Sequence, residues 1–234
     1  DEWPSGDMDQ KKIIQPSGVL EDTADTKNSC MILIVEDNAD MRQLISDMLA
    51  SSYNLLKAGD GVAGWETCVA EVPDLVITDL MMPKMDGRTM CRKIKMDERT
   101  SHIPVIMLTA KADQEHKIKG LEVGADSYLS KPFDRNELQV RIRNLIRQRQ
   151  QLREKYSQTV SLEPENMAVS SLDEQFLQKV KYQLEKNFSN PEFGAARMQE
   201  ELVMSKTQLH RKMKALTGQP PGEFLRNYRL KRPA

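Results

Sequence analysis

Cysteine and long apolar runs are both scarce in this sequence. Its three cysteines, Cys30, Cys68 and Cys91, lie far apart and lack the close pairs that a zinc site needs. No stretch approaches the roughly 20 apolar residues of a membrane span, and residues 1–29 contain no apolar core of a signal peptide. We therefore expect buried free thiols and a cytoplasmic chain without membrane contact.

The two ends of the sequence differ in composition. Residues 1–29 mix Pro, Ser, Gly and Asp without lasting periodicity, which predicts a linker. The sequence also begins without methionine, as expected for a piece of a longer protein. Residues 194–234 carry 9 basic against 3 acidic residues, although the whole chain has a net charge of −1. Such an excess is typical either of a solvated helix face or of a nucleic-acid-binding surface.

Five short apolar runs alternate with amphipathic stretches through the first two thirds of the sequence. Continuous apolar strands separated by helices of about 10–15 residues indicate βαβ units and a parallel sheet covered on both faces. We therefore predict a doubly wound, five-stranded α/β domain over residues 30–150, with its reactive groups at the carboxyl ends of the strands. The predicted strands cover 31–35, 53–58, 74–78, 104–109 and 126–130. The predicted helices cover 38–50, 61–71, 87–96, 111–123 and 134–156.

The last of these helices, over 134–156, carries an apolar stripe at three- and four-residue steps. We interpret it as the closing helix of the domain, continuing into a linker over 151–168 whose start is helical. The alternative is a short dimerising coiled coil, which would make the chain a homodimer, but Arg149 interrupts the apolar stripe.

The sequence after this linker is helical in pattern throughout. Residues 171–188 place Phe176, Val180 and Leu184 on one helix face. We therefore predict a small all-α domain over 169–234. Its shorter helices are predicted at 194–201, 205–216 and 221–230.

Three acidic residues follow two of the predicted strands. Glu36 and Asp37 come directly after the first strand, and Asp79 follows the third. These carboxylates meet at one edge of a parallel sheet and would repel one another without a cation, and an oxygen-rich site of this kind suits Mg²⁺. The fourth strand ends in the hydroxyl of Thr109 and the fifth in the ammonium of Lys131. Together they predict a phosphoryl-binding pocket with Asp79 as the nucleophile.

Four motifs around these residues, LIVEDN, ITDLMMPKMDG, MLTA and DSYLSKPF, resemble the receiver domain of two-component response regulators, which has a flavodoxin-like fold. The resemblance implies that a histidine kinase donates a phosphoryl group to Asp79 and that Mg²⁺ is the cofactor. Asp37 and Asp79 would bind the metal directly and Glu36 through water. The backbone carbonyl of Met81 would complete the protein ligands.

The same resemblance implies roles for residues around the phosphoryl group. Thr109 and Lys131 would contact the phosphoryl oxygens. Tyr128 falls at the position of the switch aromatic, which turns inward when Thr109 moves toward the phosphoryl group. The surface coupled to the site would lie on the helices predicted over 111–123 and 134–156.

A glycine motif suggests a different function for the first domain. GDGVAG, from Gly59 to Gly64, matches the G-x-G-x-x-G pattern of dinucleotide-binding folds, and Asp79 lies about 20 residues further on. A dinucleotide site would leave Glu36 and Lys131 without a role, and it would start at the second strand instead of the first. We therefore interpret the glycines as a turn and a helix start.

The stretch ELVMSKTQLHRKMKALTG predicts a helix, a tight turn and a basic second helix with Ser205 as its N-cap. Leu209, Met213 and Leu216 give the second helix a buried side. The residues that can point outward, as a helix in a DNA major groove requires, are Thr207, His210, Arg211 and Lys214.

The longer stretch MSKTQLHRKMKALTGQPPGEFLRNYRLKR resembles the first helix-turn-helix of AraC-type transcription regulators. By this resemblance Thr207, His210 and Arg211 would face DNA bases. Lys206 and Lys212 would be candidate contacts to phosphates.

AraC-type modules carry two helix-turn-helix units, whereas this sequence stops at Ala234 near the start of the helix that joins them. We therefore expect the complete AraC-type domain, and not this chain alone, to bind DNA specifically. A receiver followed by such a domain resembles the C-terminal part of the hybrid two-component proteins of Bacteroidetes, whose histidine kinase lies upstream in the same polypeptide. We interpret the chain as a segment in which phosphorylation of Asp79 controls a transcription regulator. The alternative is a phosphorelay receiver whose helical tail binds protein instead of DNA.

Overall fold

Each predicted apolar run forms a strand of one parallel sheet in the computed structural model, which describes residues 30–110, 124–157 and 171–231. The strand order is β2-β1-β3-β4-β5, so the expected doubly wound, five-stranded sheet is confirmed. The strands are β1 (Met31–Val35), β2 (Asn54–Ala58), β3 (Leu75–Asp79), β4 (Val105–Ala110) and β5 (Ser127–Lys131).

Four described helices flank this sheet. They are α1 (Ala39–Leu49), α2 (Gly61–Glu71), α3 (Gly87–Met96) and α4 (Arg135–Ser157). The predicted linker over 1–29, the predicted helix over 111–123 and the linker residues 158–168 lie outside the described residues. Among the helices of the described ranges, none combines the length and apolar character needed to cross a membrane.

Both faces of the sheet are buried, as a parallel sheet with crossover helices requires. On one face Leu33, Val76 and Met107 pack with residues of α2 and α3. On the other face Ile34 and Ile77 pack with residues of α1 and α4. The two cores therefore hold the carboxyl ends of the strands at a fixed edge of the sheet.

The three cysteines are free thiols. Cys68 and Cys91 lie in the core beneath α2 and α3, and burial raises their pKa values to about 12 and about 11. The expectation of buried free thiols is confirmed for these two, while Cys30 is half-buried.

Side chains at the carboxyl edge of the sheet start the first three helices. Asn38 accepts a hydrogen bond from the Met41 N–H at the start of α1, and Asp86 accepts one from the Thr89 N–H at the start of α3. Asp60 caps α2 in the same way. The observed helix starts, at Ala39, Gly61 and Gly87, lie within one residue of the predicted ones.

The helical region, residues 171–231, has its own core. Its helices are α5 (Ser171–Lys186), α6 (Ala195–Leu202), α7 (Lys206–Thr217) and α8 (Pro221–Lys231). Phe176, Val180 and Leu184 of α5 are buried together with Leu209 and Met213 of α7, as their spacing predicts. The helical region packs against α2 and α4 through α7.

Val203, in the turn between α6 and α7, has a left-handed backbone with φ 53° and ψ 46°, and 86% of its surface is exposed. A β-branched residue in this region is strained. We expect Val203→Gly to raise the free energy of unfolding by about 1 kcal/mol, because relief of strain exceeds the entropy cost of glycine. Chemical denaturation of both proteins measures the difference.

The control is Val72→Gly. Val72 also has a positive φ, 47°, but only 2% of its surface is exposed. The loss of apolar contacts of this buried side chain costs more free energy than the relief of backbone strain gains. Val72→Gly should therefore lower the free energy of unfolding. Equal changes at the two positions would contradict the strain assigned to Val203.

Candidate functional site

Three carboxylates come together at the carboxyl edge of the sheet. Glu36 and Asp37 follow β1, and Asp79 is the last residue of the neighbouring strand β3. One carboxylate oxygen from each of the three lies within 4.8 Å of the others. Glu36 is buried, Asp79 is half-buried and Asp37 is exposed, so the cluster opens to solvent on one side. The predicted convergence of these residues is present in the structure.

Lys131, at the end of β5, is the counter-charge of this cluster. Its ammonium lies 2.8 Å from Glu36 Oε2 and 3.0 Å from Asp79 Oδ1. Burial alone would lower the pKa of Lys131, but its hydrogen bonds to the two carboxylates outweigh burial and raise that pKa. Burial also raises the pKa of Glu36, and the bond to Lys131 opposes this shift only in part. Lys131 is therefore a fixed positive charge beside Asp79.

The backbone around Asp79 is tightly packed. The Leu80 N–H donates to Asp79 Oδ1 at 2.9 Å, and the Gly87 N–H donates to the Leu80 carbonyl at 2.9 Å. A Cβ at Gly87 would lie 2.0 Å from the Asp79 carbonyl oxygen, which no side chain tolerates. Gly87 thus allows the loop after β3 to return against the strand end that carries Asp79.

The other predicted site residues lie around this cluster. Thr109 is buried near the end of β4, the strand between β3 and β5. Tyr128 is half-buried against the core on the α2 and α3 side, and burial raises its pKa. Met81 is exposed in the loop after β3. Their contacts with a phosphoryl group or a metal stay predictions.

Two basic residues that the sequence did not indicate also hold this edge. The Arg42 guanidinium donates to the carbonyls of Glu36 and Asp37, at 2.5 and 3.3 Å. Lys84, in the loop after β3, pairs with Asp60 at 2.6 Å. The first contact ties α1 to the turn that precedes it, and the second joins the loop after β3 to the residue that caps α2.

The glycines of GDGVAG pack against protein, as the interpretation of a turn and helix start requires. A Cβ at Gly61 would lie 2.1 Å from the Met85 carbonyl oxygen, and one at Gly64 would lie 2.7 Å from Val35. The Asp60 carboxylate accepts the N–H groups of Val62 and Ala63 at the start of α2. It therefore occupies the helix N-terminus where a pyrophosphate would bind.

The predicted DNA contacts lie on different sides of α7. Ser205 and Gln208 form a capping box at its start, which confirms the predicted N-cap. Lys206, Thr207 and His210 are exposed. Arg211 is half-buried, and its guanidinium donates to the Val72 carbonyl of α2 at 3.3 Å.

The prediction that Lys212 contacts DNA phosphates is wrong for this structure, because the side chain is fully buried. Its ammonium lies 2.6 Å from Asp173 and 3.1 Å from the Ser101 hydroxyl, and it also donates to the Glu98 carbonyl. Gln208, four positions before it, shares this side of α7, and Arg211 lies beside them; both are hydrogen-bonded to the first domain. Lys212 therefore belongs to the side of α7 that faces the first domain.

Residues 32–143 match the family model described as the response regulator receiver domain. Histidine kinase P4 of Formosa agariphila is 40% identical over 215 residues, which are 92% of this chain and 16% of that protein. The DNA-binding dual master transcriptional regulator RpaA of Synechocystis is 44% identical over 117 residues, half of this chain and 48% of that protein. The chain thus spans less than half the length of these relatives.

Among solved structures, the receiver domain of sensor histidine kinase PA1611 from Pseudomonas aeruginosa is 34% identical. The match covers 50% of this chain and 97% of that one, with a TM-score of 0.47. That structure has a magnesium ion coordinated in its active site cleft.

Proposed function

Because residues 32–143 of the chain belong to the response regulator receiver domain family, we propose that Asp79 accepts a phosphoryl group from a histidine kinase. One observation carries this proposal: the Asp79 carboxylate lies 3.0 Å from the Lys131 ammonium and within 4.8 Å of two further carboxylates. A nucleophile, a fixed positive charge and oxygen ligands for a cation are the groups that phosphoryl transfer requires.

The two oxygens of Asp79 have different surroundings. Oδ1 accepts the Leu80 N–H and faces the Lys131 ammonium. We assign the nucleophilic role to the other oxygen, Oδ2. It forms a bond to phosphorus while the bond between phosphorus and the donor breaks, and the donor leaves with the electron pair. Lys131 stabilises the negative charge on the phosphoryl oxygens, and Thr109 is the proposed hydroxyl contact.

The carboxylates fit Mg²⁺. This ion takes octahedral oxygen ligands at about 2.0–2.1 Å, so opposite ligands lie about 4.1 Å apart. The carboxylate oxygens of Glu36, Asp37 and Asp79 are within 4.8 Å of one another, so small side-chain shifts bring those of Asp37 and Asp79 onto one ion. Asp37 and Asp79 are the proposed direct ligands, with the Met81 carbonyl, and Glu36 binds through water. Bound Mg²⁺ would supply positive charge for the phosphoryl oxygens.

The proposed output of the chain is DNA binding by an AraC-type domain that the helical region begins. Its support is the capped helix α7 after a tight turn, with Lys206, Thr207 and His210 exposed. The alignment with histidine kinase P4 covers 92% of the chain and so includes most of this region. It supports a parent protein in which a histidine kinase and this segment share one polypeptide.

The alternative is a phosphorelay receiver whose helical region binds protein. The hydrogen bonds from Gln208 and Arg211 to backbone carbonyls of α2 favour it, because this side of α7 already contacts protein. A mobility shift of duplex DNA separates the two functions. We expect a phosphorylated chain extended beyond Ala234 to shift the duplex. If that chain gives no shift, the phosphorelay function is favoured over DNA binding.

A further inference from the structure

Arg42 closes the turn between β1 and α1. Its backbone N–H donates to the Asn38 carbonyl at 2.9 Å, and its guanidinium Nη1 donates to the carbonyls of Glu36 and Asp37 at 2.5 and 3.3 Å. One residue thus binds three successive carbonyl groups. Two of these carbonyls belong to residues whose carboxylates form the acidic cluster with Asp79.

The backbone of Glu36 and Asp37 lies between two regular elements. Val35 is the last residue of β1 that pairs with β2 and β3, and the Glu36 N–H adds one further bond, to the Ala58 carbonyl at 3.2 Å. The hydrogen bonds of α1 begin with the Asn38 carbonyl. The carbonyls of Glu36 and Asp37 therefore follow the ladder of the sheet and precede that of the helix, where a side chain is needed to fix them.

The Arg42 guanidinium is itself held against the neighbouring turn. The residue is half-buried, and a Cβ at Gly59 would lie 3.7 Å from its Nη1 atom, so the group lies beside the turn that follows β2. A guanidinium carries five N–H donors in a rigid planar fork, whereas a lysine ammonium is a point charge on a flexible stem. Arg42 therefore restrains the orientation of the peptide groups that carry both acidic side chains.

Arg42 and Lys131 act on the acidic cluster in different ways. The Lys131 ammonium contacts carboxylate oxygens of Glu36 and Asp79. In the described residues, the contacts of the Arg42 guanidinium are to carbonyl oxygens and not to the carboxylates. Because two positive charges repel each other, the charge of Arg42 by itself disfavours a cation in the cluster. A favourable effect of Arg42 on Mg²⁺ binding would therefore come from geometry.

We propose that Arg42 is a positioning residue of the metal site, which holds the turn after β1 so that the carboxylates of Glu36 and Asp37 face the ion. This inference rests on the proposed binding of Mg²⁺ in the phosphorylation of Asp79. A group that orients metal ligands without contacting the metal contributes about 10- to 100-fold to metal affinity. Arg42 then determines how tightly Mg²⁺ binds, while Asp79 and Lys131 carry the chemistry.

Isothermal titration calorimetry with MgCl₂ on the unphosphorylated chain tests this role. Arg42→Met should raise the dissociation constant of Mg²⁺ about tenfold. Loss of the positive charge alone would lower this constant, because a repelling cation is removed, so the two effects have opposite signs. Arg143→Met, which removes an exposed arginine of α4, is the control for net charge and should leave the constant unchanged.

Arg42→Lys keeps the charge and removes the planar fork. Its ammonium is expected to hold only one of the two carbonyls, so the dissociation constant should lie between those of the unmodified chain and Arg42→Met. Chemical denaturation without Mg²⁺ shows whether each variant is folded. If Arg42→Met does not fold, Arg42→Lys decides, and a dissociation constant equal to that of the unmodified chain would overturn the proposal.

The Mg²⁺ dependence of the phosphorylation rate gives a second readout. Arg42→Met should need about ten times more Mg²⁺ to reach half of its maximal rate, while its rate at saturating Mg²⁺ should approach that of the unmodified chain. A reduced rate at saturating Mg²⁺ with an unchanged half-saturating concentration would overturn the positioning role.

The outcomes separate this inference from the proposed function. Unchanged or tighter Mg²⁺ binding in Arg42→Met, with phosphorylation of Asp79 intact, would overturn the role of Arg42 and leave the proposed function. Weaker Mg²⁺ binding in Arg42→Met, with no phosphoryl gain on any of the proteins, would support the role of Arg42 and refute Asp79 as the phosphoryl acceptor.

Discussion

Replacement of Lys131 by methionine is expected to slow phosphorylation of Asp79 about 100- to 1000-fold. Lys131 is the only described cation in direct contact with the Asp79 carboxylate, at 3.0 Å, and its pKa is raised by its hydrogen bonds to Glu36 and Asp79. A fixed donor of this kind that faces the developing charge contributes about this factor to the rate. Methionine keeps most of the length of the side chain and removes the ammonium with its charge and its hydrogen-bond donors.

The measurement is a time course of intact mass with excess small phosphodonor and Mg²⁺. Lys57→Met is the control, because Lys57 lies on β2 of the same sheet and its ammonium contacts Gln43 instead of the acidic cluster. The three carboxylates remain in Lys131→Met, so Mg²⁺ should still bind. A rate within about threefold of the unmodified chain would refute the role of Lys131, because loss of one such donor should cost far more.

Breaking the buried pair of Lys212 and Asp173 is expected to destabilise the chain by about 3 kcal/mol or more. The two side chains are 0% and 4% exposed and their charged atoms lie 2.6 Å apart. Burial lowers the pKa of Lys212, and the charge of Asp173 opposes that shift only in part. Lys212→Met leaves a carboxylate buried without its counter-charge, whose remaining partner is the Ser101 hydroxyl.

A double-mutant cycle isolates the pair. Lys212→Met and Asp173→Asn should each lower the free energy of unfolding strongly. The loss in the double variant should be about 2 kcal/mol smaller than the sum of the two single losses, because no charge is then left unpaired. Denaturant titration of the four proteins gives the free energies of unfolding. Strictly additive costs would show that the two residues do not form a buried pair.

Much of the fold could be predicted because its determinants are local. The predicted strand boundaries differ from the observed ones by at most one residue, since each strand is a continuous apolar run. The helices α2 and α3 start after Asp60 and Asp86, and aspartate is among the residues preferred as helix N-caps. The acidic cluster was predictable for a topological reason, because parallel strands bring Glu36 and Asp79 to one edge.

The burial of Lys212 could not be predicted in this way. Its partners Asp173 and Ser101 are 39 and 111 residues away, and no local sequence pattern indicates that they contact Lys212. The outward-facing residues of α7 were assigned from helical periodicity, which locates the core side at Leu209 and Met213 but does not show what covers the remaining sides. Lys84 was missed for the same reason, because its partner Asp60 is 24 residues away. Arg42 was missed although its acceptors are near in sequence, because they are backbone carbonyls and so leave no mark in the residue pattern.

Phosphorylation of Asp79 is tested most directly by intact-mass analysis with a small phosphodonor, with and without Mg²⁺, followed by mapping of the modified peptide. We predict a gain of one phosphoryl group on the peptide that carries Asp79, dependent on Mg²⁺. Asp79→Asn should abolish the gain, and Asp47→Asn, a change of an exposed carboxylate on α1, should preserve it. No gain with folded, Mg²⁺-bound protein, or an equal gain in Asp79→Asn, would contradict the assignment of Asp79 as the phosphoryl acceptor.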